Sequence, residues 1–578
     1  MFTKVLIANR GEIAVRVIRA CRELGIQSVA VYSELDRDAL HTRLADEAYA
    51  LGGQTAAESY LNTEMILDVI ERSGVDAVHP GYGFFSENAE FAKAITEKGV
   101  TFIGPPVEAI AVMGDKISAR QAAEKVGVSG VPGTTDFITT SDEVKAFASD
   151  HGYPIAIKAA YGGGGRGMKV VNSEDEIRTA IDSAQREALA YFGRDEIYME
   201  RYLTKPRHIE VQVLCDSHGN AIHLGTRDCS AQRRHQKLIE EAPAPRIPQK
   251  ILNDMGQAAV DVAKGCGYIN AGTVEFLYEN EDFYYLEMNT RLQVEHPVTE
   301  MVSGIDLVEQ QIRVASGETL PFKQEDIEMT GHAIEVRINA EDPAEGQFLP
   351  SPGRLETFKT SAGFGTRWDG GYEEGDEISQ FYDNLIGKLI CWGKDRDTAI
   401  ARTIRALTEF EISGLRTTIP ADIAILAHPD FSAVEHSTKW VEEVLDLSGV
   451  KGNPIPEAQD ISASEIRTAD IEVNGKRFDV SISVPKDSSQ VRRSASSVGA
   501  KTGGGDGQIS VPMQGTIVKI QVATGDTVES GDILVVLEAM KMENNITSDV
   551  SGTITEINVN EGDAVGAGDV IIIIETES

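Results

Sequence analysis

Cysteine is scarce in this 578-residue chain. The five thiols, Cys21, Cys215, Cys229, Cys266 and Cys391, are odd in number, and no CxxC occurs. That speaks against a disulfide framework or a structural zinc site and fits buried, reduced thiols. Long apolar runs are missing too: even residues 570–574 make only a strand, far short of a membrane span. The apolar run after Met1 is too short for a signal peptide, so a soluble cytoplasmic protein is expected. Positive charge is in deficit, 54 Lys and Arg against 91 Asp and Glu, for a net charge of −37. Such acidity repels polyanions and argues against nucleic acid as a partner. What remains, 41% hydrophobic and 25% charged residues, is the balance of an ordinary globular protein. The length predicts about three to five domains.

One more absence shapes the N-terminal region. No Gly-x-Gly-x-x-Gly follows the first apolar run at 5–8; Asn9-Arg10-Gly11-Glu12 stands there, which disfavours dinucleotide binding. Apolar runs at 5–8, 28–32, 77–79 and 101–103 alternate with helical patterns at 11–21, 65–71 and 88–97, predicting a parallel, doubly wound sheet. Residues 113–203 read as helical first, then as strands around a glycine run. From about 449 to 507 Gly, Pro, Ser and charges dominate, as in a flexible linker. Inside it, Asn474-Gly475 between alternating runs predicts one hairpin over 471–482.

The C-terminal stretch repeats itself. Gly515-Thr-Ile-Val-Lys-Ile-Gln-Val aligns with Gly552-Thr-Ile-Thr-Glu-Ile-Asn-Val, and the match runs on through Gly525-Asp526 and Gly562-Asp563 at a constant offset of 37. Two short strand units of this kind must pack on each other to bury a core, giving a pseudo-twofold β-sandwich. Between the copies lies Glu538-Ala-Met-Lys541-Met-Glu543, which places Lys541 at an exposed turn. Residues 508–577 resemble the biotinyl domains of biotin-dependent carboxylases, a hammerhead fold in which the lysine of Ala-Met-Lys-Met carries biotin through an amide. Lipoyl domains share the fold but flank their lysine with Asp and Ala. Gln514 replaces a more usual proline.

A second chemistry lies upstream. Lys158-Ala-Ala-Tyr-Gly162-Gly163-Gly164-Gly165-Arg166-Gly167 joins two predicted strands, 155–159 and 168–171. A glycine loop between strands can fold over phosphates, with Lys116 and Lys158 as partners; a flexible linker has the same composition. Further on, a hairpin centred on Glu281 sets Glu275 opposite Glu287. Facing carboxylates repel unless a cation lies between them, and magnesium bridging to phosphates suits oxygen ligands. From Glu287 every second residue is polar: Asn289, Arg291, Gln293, Glu295. If extended, this is one dense chemical face, although a solvated edge strand alternates likewise. Residues 227–237 form a basic island that reads as an anion site.

In order, residues 79–88, 113–116, 227–237 and 287–296 match the signatures of the biotin carboxylase component of the ATP-grasp superfamily. The resemblance spans about 1–447. It implies a multidomain α/β and α+β chain: a Rossmann-like domain over 1–113, an ATP-grasp region over 114–330 with a lid at about 131–203, a mixed domain over 331–447, a linker over 448–507 and the all-β biotinyl domain over 508–577. It implies that Lys116, Lys158, the loop glycines, Glu200, Arg201, Leu203, His208, Gln232, His235 and Lys237 contact ATP. Glu275 and Glu287, with Asn289 nearby, would bind magnesium or manganese. Arg291, Gln293, Val294 and Glu295 would hold bicarbonate, Tyr82 and Gly83 would help to bind the cofactor, Glu295 would be the base, Arg337 would stabilise the biotin enolate, and Lys237 and Arg291 would be catalytic with them. Nothing in 449–507 is long enough for a carboxyltransferase, so a separate β subunit is expected, in a hetero-oligomer, with a biotin protein ligase to modify Lys541. The acceptor stays open among acyl-CoAs. Two other readings stand beside this one: a different ATP-grasp ligase with a lipoyl-type domain, and a non-enzymatic carrier scaffold.

Overall fold

The structure, a computed structural model, describes residues 1–134, 137–138, 140–159, 168–192, 195–453, 464–473, 476–485, 508–511, 515–539, 542–565 and 569–576. Strands β1 (Lys4–Ile7), β2 (Gln27–Tyr32), β3 (Glu47–Ala50), β4 (Ala77–His79) and β5 (Thr101–Phe102) form one parallel sheet in the order β3-β2-β1-β4-β5. Val5, Leu6 and Ile7 are wholly buried, which is why β1 reads as an unbroken apolar run. Helix α1 (Gly11–Glu23) follows directly. Asn62 and Asn88 cap the helices Thr63–Ser73 and Ala89–Glu97 by accepting the N–H groups of Met65 and Phe91. The predicted sheet is therefore present, with one strand more than expected. That strand, β3, is the short, half-exposed edge sequence Glu-Ala-Tyr-Ala, too weakly apolar to announce itself.

A smaller antiparallel unit comes next: β6 (Ile155–Ala159) lies between β7 (Met168–Val171) and β8 (Ile197–Arg201). Its core packs the helices Ser141–His151 and Ile177–Phe192 against the sheet.

The site is carried by an eight-stranded sheet. β9 (Arg207–Cys215), β10 (Ala221–Arg233), β11 (Gln236–Ala242), β12 (Asn270–Glu279), β13 (Asp282–Asn289) and β14 (His332–Asn339) are arranged as β13-β12-β9-β10-β11-β14, and the strands Leu385–Gly393 and Thr366–Gly370 complete it. The sheet runs without a break across position 330, where the sequence suggested a domain boundary.

Beyond the linker, Ser464–Val473 pairs with Lys476–Pro485 in the predicted hairpin, with longer arms than expected. The C-terminal unit is two four-stranded sheets sharing one core. Gly515–Ile520, Thr527–Val528 and Ile533–Ala539 recur 37 residues further on as Gly552–Ile557, Ala564–Val565 and Val570–Thr576. Even the pairing irregularities after Ile517 and Ile554 correspond. Lys541 follows Ala539, which pairs with Met542, and itself lies outside the described residues.

Candidate active site

Three strands and one loop bring the chemistry together. On β9 the alternation His208, Glu210, Gln212 puts three polar side chains on one face of a fully buried strand. β12 lies beside it and adds Glu275 opposite Glu210. β11 supplies Lys237. Its ammonium donates to Glu275 at 3.1 Å, to Glu295 at 2.8 Å, and to Glu210.

Glu275 sits at the centre. Its Oε1 accepts from Lys237, from Asn289 Nδ2 at 2.7 Å and from Gln293 Nε2 at 2.8 Å; its Oε2 meets His208 Nε2 at 2.8 Å. Burial disfavours its charge, but Lys237 and His208 outweigh that and hold the carboxyl well below the usual carboxylate range. Glu287 is directly across the ladder, as expected. The register arises differently from the expectation, though. The turn is the two residues Asn280-Glu281, both at positive φ, and a bulge after Glu275 restores the Glu275–Glu287 pairing.

The polar run beyond Glu287 corrects another expectation. β13 ends at Asn289, and residues 290–295 form a bent loop before the helix His296–Ser303. The side chains still converge because Arg227 anchors the loop. Its buried guanidinium donates to Glu210, Gln212, Thr273, Thr299 and, at 2.5 Å, to Gln293. At its head, expected to be an anion site, the basic island is an internal brace. Glu295 ends the loop, with Oε1 on Lys237 and Oε2 on Arg337 at 2.8 Å. Burial opposes its ionisation, but Lys237 and Arg337 prevail, so its carboxyl lies well below the usual range.

These residues line three adjoining cavities. The first, of about 680 Å³, is bounded by Lys158, Glu200, Arg201, Leu203, His208, Gln232, His235, Lys237, Glu275, Glu287, Asn289 and Arg291. Lys158 is ion-paired with Glu200, and Arg201 donates to Tyr284 at 2.6 Å. The second, of about 630 Å³, shares His235, Lys237 and Arg291 and adds Gln293, Val294, Glu295 and Arg337. The third, of about 170 Å³, shares Val294 and Arg337 and reaches Tyr82 and Gly83. The side chain of Lys116, the glycines 163–165 and Lys541 lie outside what the structure describes. Sequence reasoning missed Glu210, Glu240 and Lys388. The alternation of β9 signalled the first; the other two are polar residues within apolar strands that only pairing brings to the site.

Comparison with known proteins accounts for both halves of the chain. Family models match residues 1–110 (biotin carboxylase, N-terminal domain), 115–323 (carbamoyl-phosphate synthase L chain, ATP binding domain), 335–443 (biotin carboxylase C-terminal domain) and 507–574 (biotin-requiring enzyme). The alpha3 subunit of a biotin-dependent acyl-coenzyme A carboxylase from Mycobacterium leprae is 48% identical, with 94% of each chain covered. The chain belongs to the biotin-dependent carboxylases. It is a biotin carboxylase fused to a biotin carrier, homologous to acyl-CoA carboxylase alpha subunits. The propionyl-CoA carboxylase alpha chain of Ruegeria pomeroyi is 39% identical over 95% of this chain and 96% of its own. The carboxylase portion alone superposes on the biotin carboxylase subunit of pyruvate carboxylase with a TM-score of 0.72 at 48% identity, covering 77% of this chain and 98% of that one. A Campylobacter jejuni biotin carboxylase–nucleotide complex gives 0.69 at 46%, over 76% and 98%. As in the family, biotin is the cofactor and ATP the co-substrate, with magnesium. No helix among the described residues is long and apolar enough to cross a membrane.

The residues present fit a magnesium ion. Glu275 and Glu287 face each other on one wall of the first cavity, and Glu275 Oε2, bonded to one imidazole, keeps a lone pair.

Proposed function

We propose that this biotin carboxylase uses Glu295 as its base and Arg337 as its oxyanion partner to carboxylate biotin on Lys541. The observation that carries the reading is the position of Glu295, ionised and bridging Lys237 to Arg337 where the two larger cavities meet. Alone, it is too weak a base. An anion such as bicarbonate, arriving between Lys237, Arg291 and Arg337, draws those cations to itself, and the Glu295 carboxyl becomes more basic as they leave it. Glu295 then takes the bicarbonate proton while a bicarbonate oxygen takes the terminal phosphate of ATP, giving carboxyphosphate and ADP. The carboxyphosphate breaks down to CO2 and phosphate, the phosphate takes the ureido N–H proton, and the ureido nitrogen adds to the CO2. Lys158, His235 and Lys237 face the charge gathered in that transfer. Glu275, Glu287 and Asn289 would hold magnesium, which supplies further charge neutralisation at the phosphates. Arg337 donates to the ureido oxygen as negative charge develops there.

The division into a Rossmann-like domain, an ATP-grasp region, a mixed domain, a linker and a carrier is part of the same proposal. So are cytoplasmic residence, modification by a biotin protein ligase, and a hetero-oligomer with a carboxyltransferase β subunit acting on an acyl-CoA. Support for the partner comes from the relatives, which are an alpha3 subunit and an alpha chain of acyl-CoA carboxylases. The test is bicarbonate-dependent ATP cleavage with free biotin, together with peptide mass spectrometry of Lys541. Activity with biotin found on Lys541 supports the reading; ATP cleavage indifferent to bicarbonate and biotin rejects it.

A further inference from the structure

Arg337 is gripped twice. Its Nε donates to Glu240 Oε1 at 2.6 Å and a terminal nitrogen donates to Glu295 Oε2 at 2.8 Å. Glu240 belongs to β11 and pairs directly with Glu335 on β14, two residues before Arg337 and so on the same face of that strand. Glu240 and Glu335 are both 0% exposed. The second oxygen of Glu240 and both oxygens of Glu335 are buried with no hydrogen-bond partner among the described residues. Two ionised carboxylates so placed repel with almost no water to screen them.

The surrounding charges decide which one ionises. Facing Glu240 are Lys237 on its own strand, Arg337 and Glu335 on β14, Glu295 from the loop, and Asp422 from the helix Ile419–Ala427. Lys388, on the next strand, lies nearer Glu335 but donates to the Val294 carbonyl and pairs with Glu12. Burial leaves Glu335 well above the usual carboxylate range. Burial also pushes Glu240 up, to about 7, with Arg337 keeping it from rising further.

We propose that Glu240 is a positioning residue for Arg337: its carboxylate and that of Glu295 clamp the guanidinium from two sides, with Glu335 directly opposite Glu240 across the ladder. The inference rests on the reading that Arg337 acts on biotin. Protonating Glu240 leaves Glu295 as the one charged grip, so turnover that needs Arg337 rises as pH rises through about 7.

The full-length holoenzyme tests this with free biotin, bicarbonate and ATP between pH 6 and 9. Glu240→Gln keeps an acceptor but no charge. It should lower kcat about 10- to 100-fold at pH 8, leave KM for ATP within about twofold, and abolish the rise near pH 7. Glu240→Asp keeps the charge but withdraws it by one methylene. It should retain the titration with a reduced kcat, which covers the case in which Glu240→Gln folds poorly. A wild-type kcat and pH profile in Glu240→Gln, or full kcat in Glu240→Asp, overturns the clamp. So does a loss confined to thermal stability with the pH profile intact. A wild-type enzyme without bicarbonate-dependent cleavage instead removes the functional reading itself, so the two failures are distinct.

Discussion

Arg227 shows how one side chain can organise a site it does not face. Fully buried, it donates to five acceptors on two strands, the loop and the helix His296–Ser303. Arg227→Met would leave Glu210 with Lys237 as its remaining cation and Gln293 without its donor, at a cost of about 3–5 kcal/mol. Thermal unfolding should show that loss, and ATP cleavage should fall by about two orders of magnitude or more because Gln293 loses its anchor. Wild-type values for both would mean the brace is unimportant. Glu287 makes a sharper case. Glu287→Gln should leave the fold intact and abolish activity by orders of magnitude, with partial recovery at raised magnesium. Near-normal turnover at ordinary magnesium would make the Glu275–Glu287 pair structural. The residue types themselves were legible as the alternation of Glu, Asn, Arg, Gln and Glu from 287 to 295. Their partners were not, because Glu210, Glu240 and Lys388 act through long-range pairing.

At the scale of elements, the parallel sheet was legible wherever burial on both faces gave an unbroken apolar run, as in β1, and illegible at the edge strand β3, where it did not. The Glu275–Glu287 register came out right for a partly wrong reason: the turn is half a residue from where the alternation placed it, and the bulge compensates. A bulge leaves no trace in an apolar–polar pattern. The parallel sheet region holds two buried histidines, His79 and His41, that contribute to the acid response. His79, at the end of β4, accepts from Gly81 N–H through Nδ1 and faces Gln311 through Nε2; His41 faces the Val31 carbonyl. Burial lowers both from 6.5 to about 4. Because the folded values are depressed, the unfolded chain binds protons first. The contribution of these two histidines is full above pH 6.5 and is lost between 6.5 and 4, by about 3 kcal/mol per histidine. Urea unfolding across that window should show a slope reduced by about one proton in His79→Gln; an unchanged slope would falsify this assignment.

At the scale of the whole molecule, the catalytic body and the carrier share no core among the described residues. Every residue of the C-terminal cluster lies between Ile509 and Ile574, and no other cluster draws on that stretch. A chain ending near Gly449 should therefore keep bicarbonate-dependent ATP cleavage with free biotin yet fail in acyl-CoA carboxylation with its partner, since the tether sets the effective concentration of biotin. Loss of cleavage in that truncation would show that the carrier completes the active site. A few Gly or Ser residues added within 486–507 should matter little, because closure cost grows slowly with length. The 37-residue repeat made the carrier the most legible part of the chain, since each half needs the other's core. The account as a whole turns on where the carboxyl group ends up. Biotinylated full-length enzyme is incubated with labelled bicarbonate, magnesium and ATP, and the peptides are counted. The label should appear on the peptide carrying Lys541, depend on ATP, and vanish in Glu295→Gln. ATP cleavage without label on that peptide, or label in the Lys541→Arg protein, would contradict it.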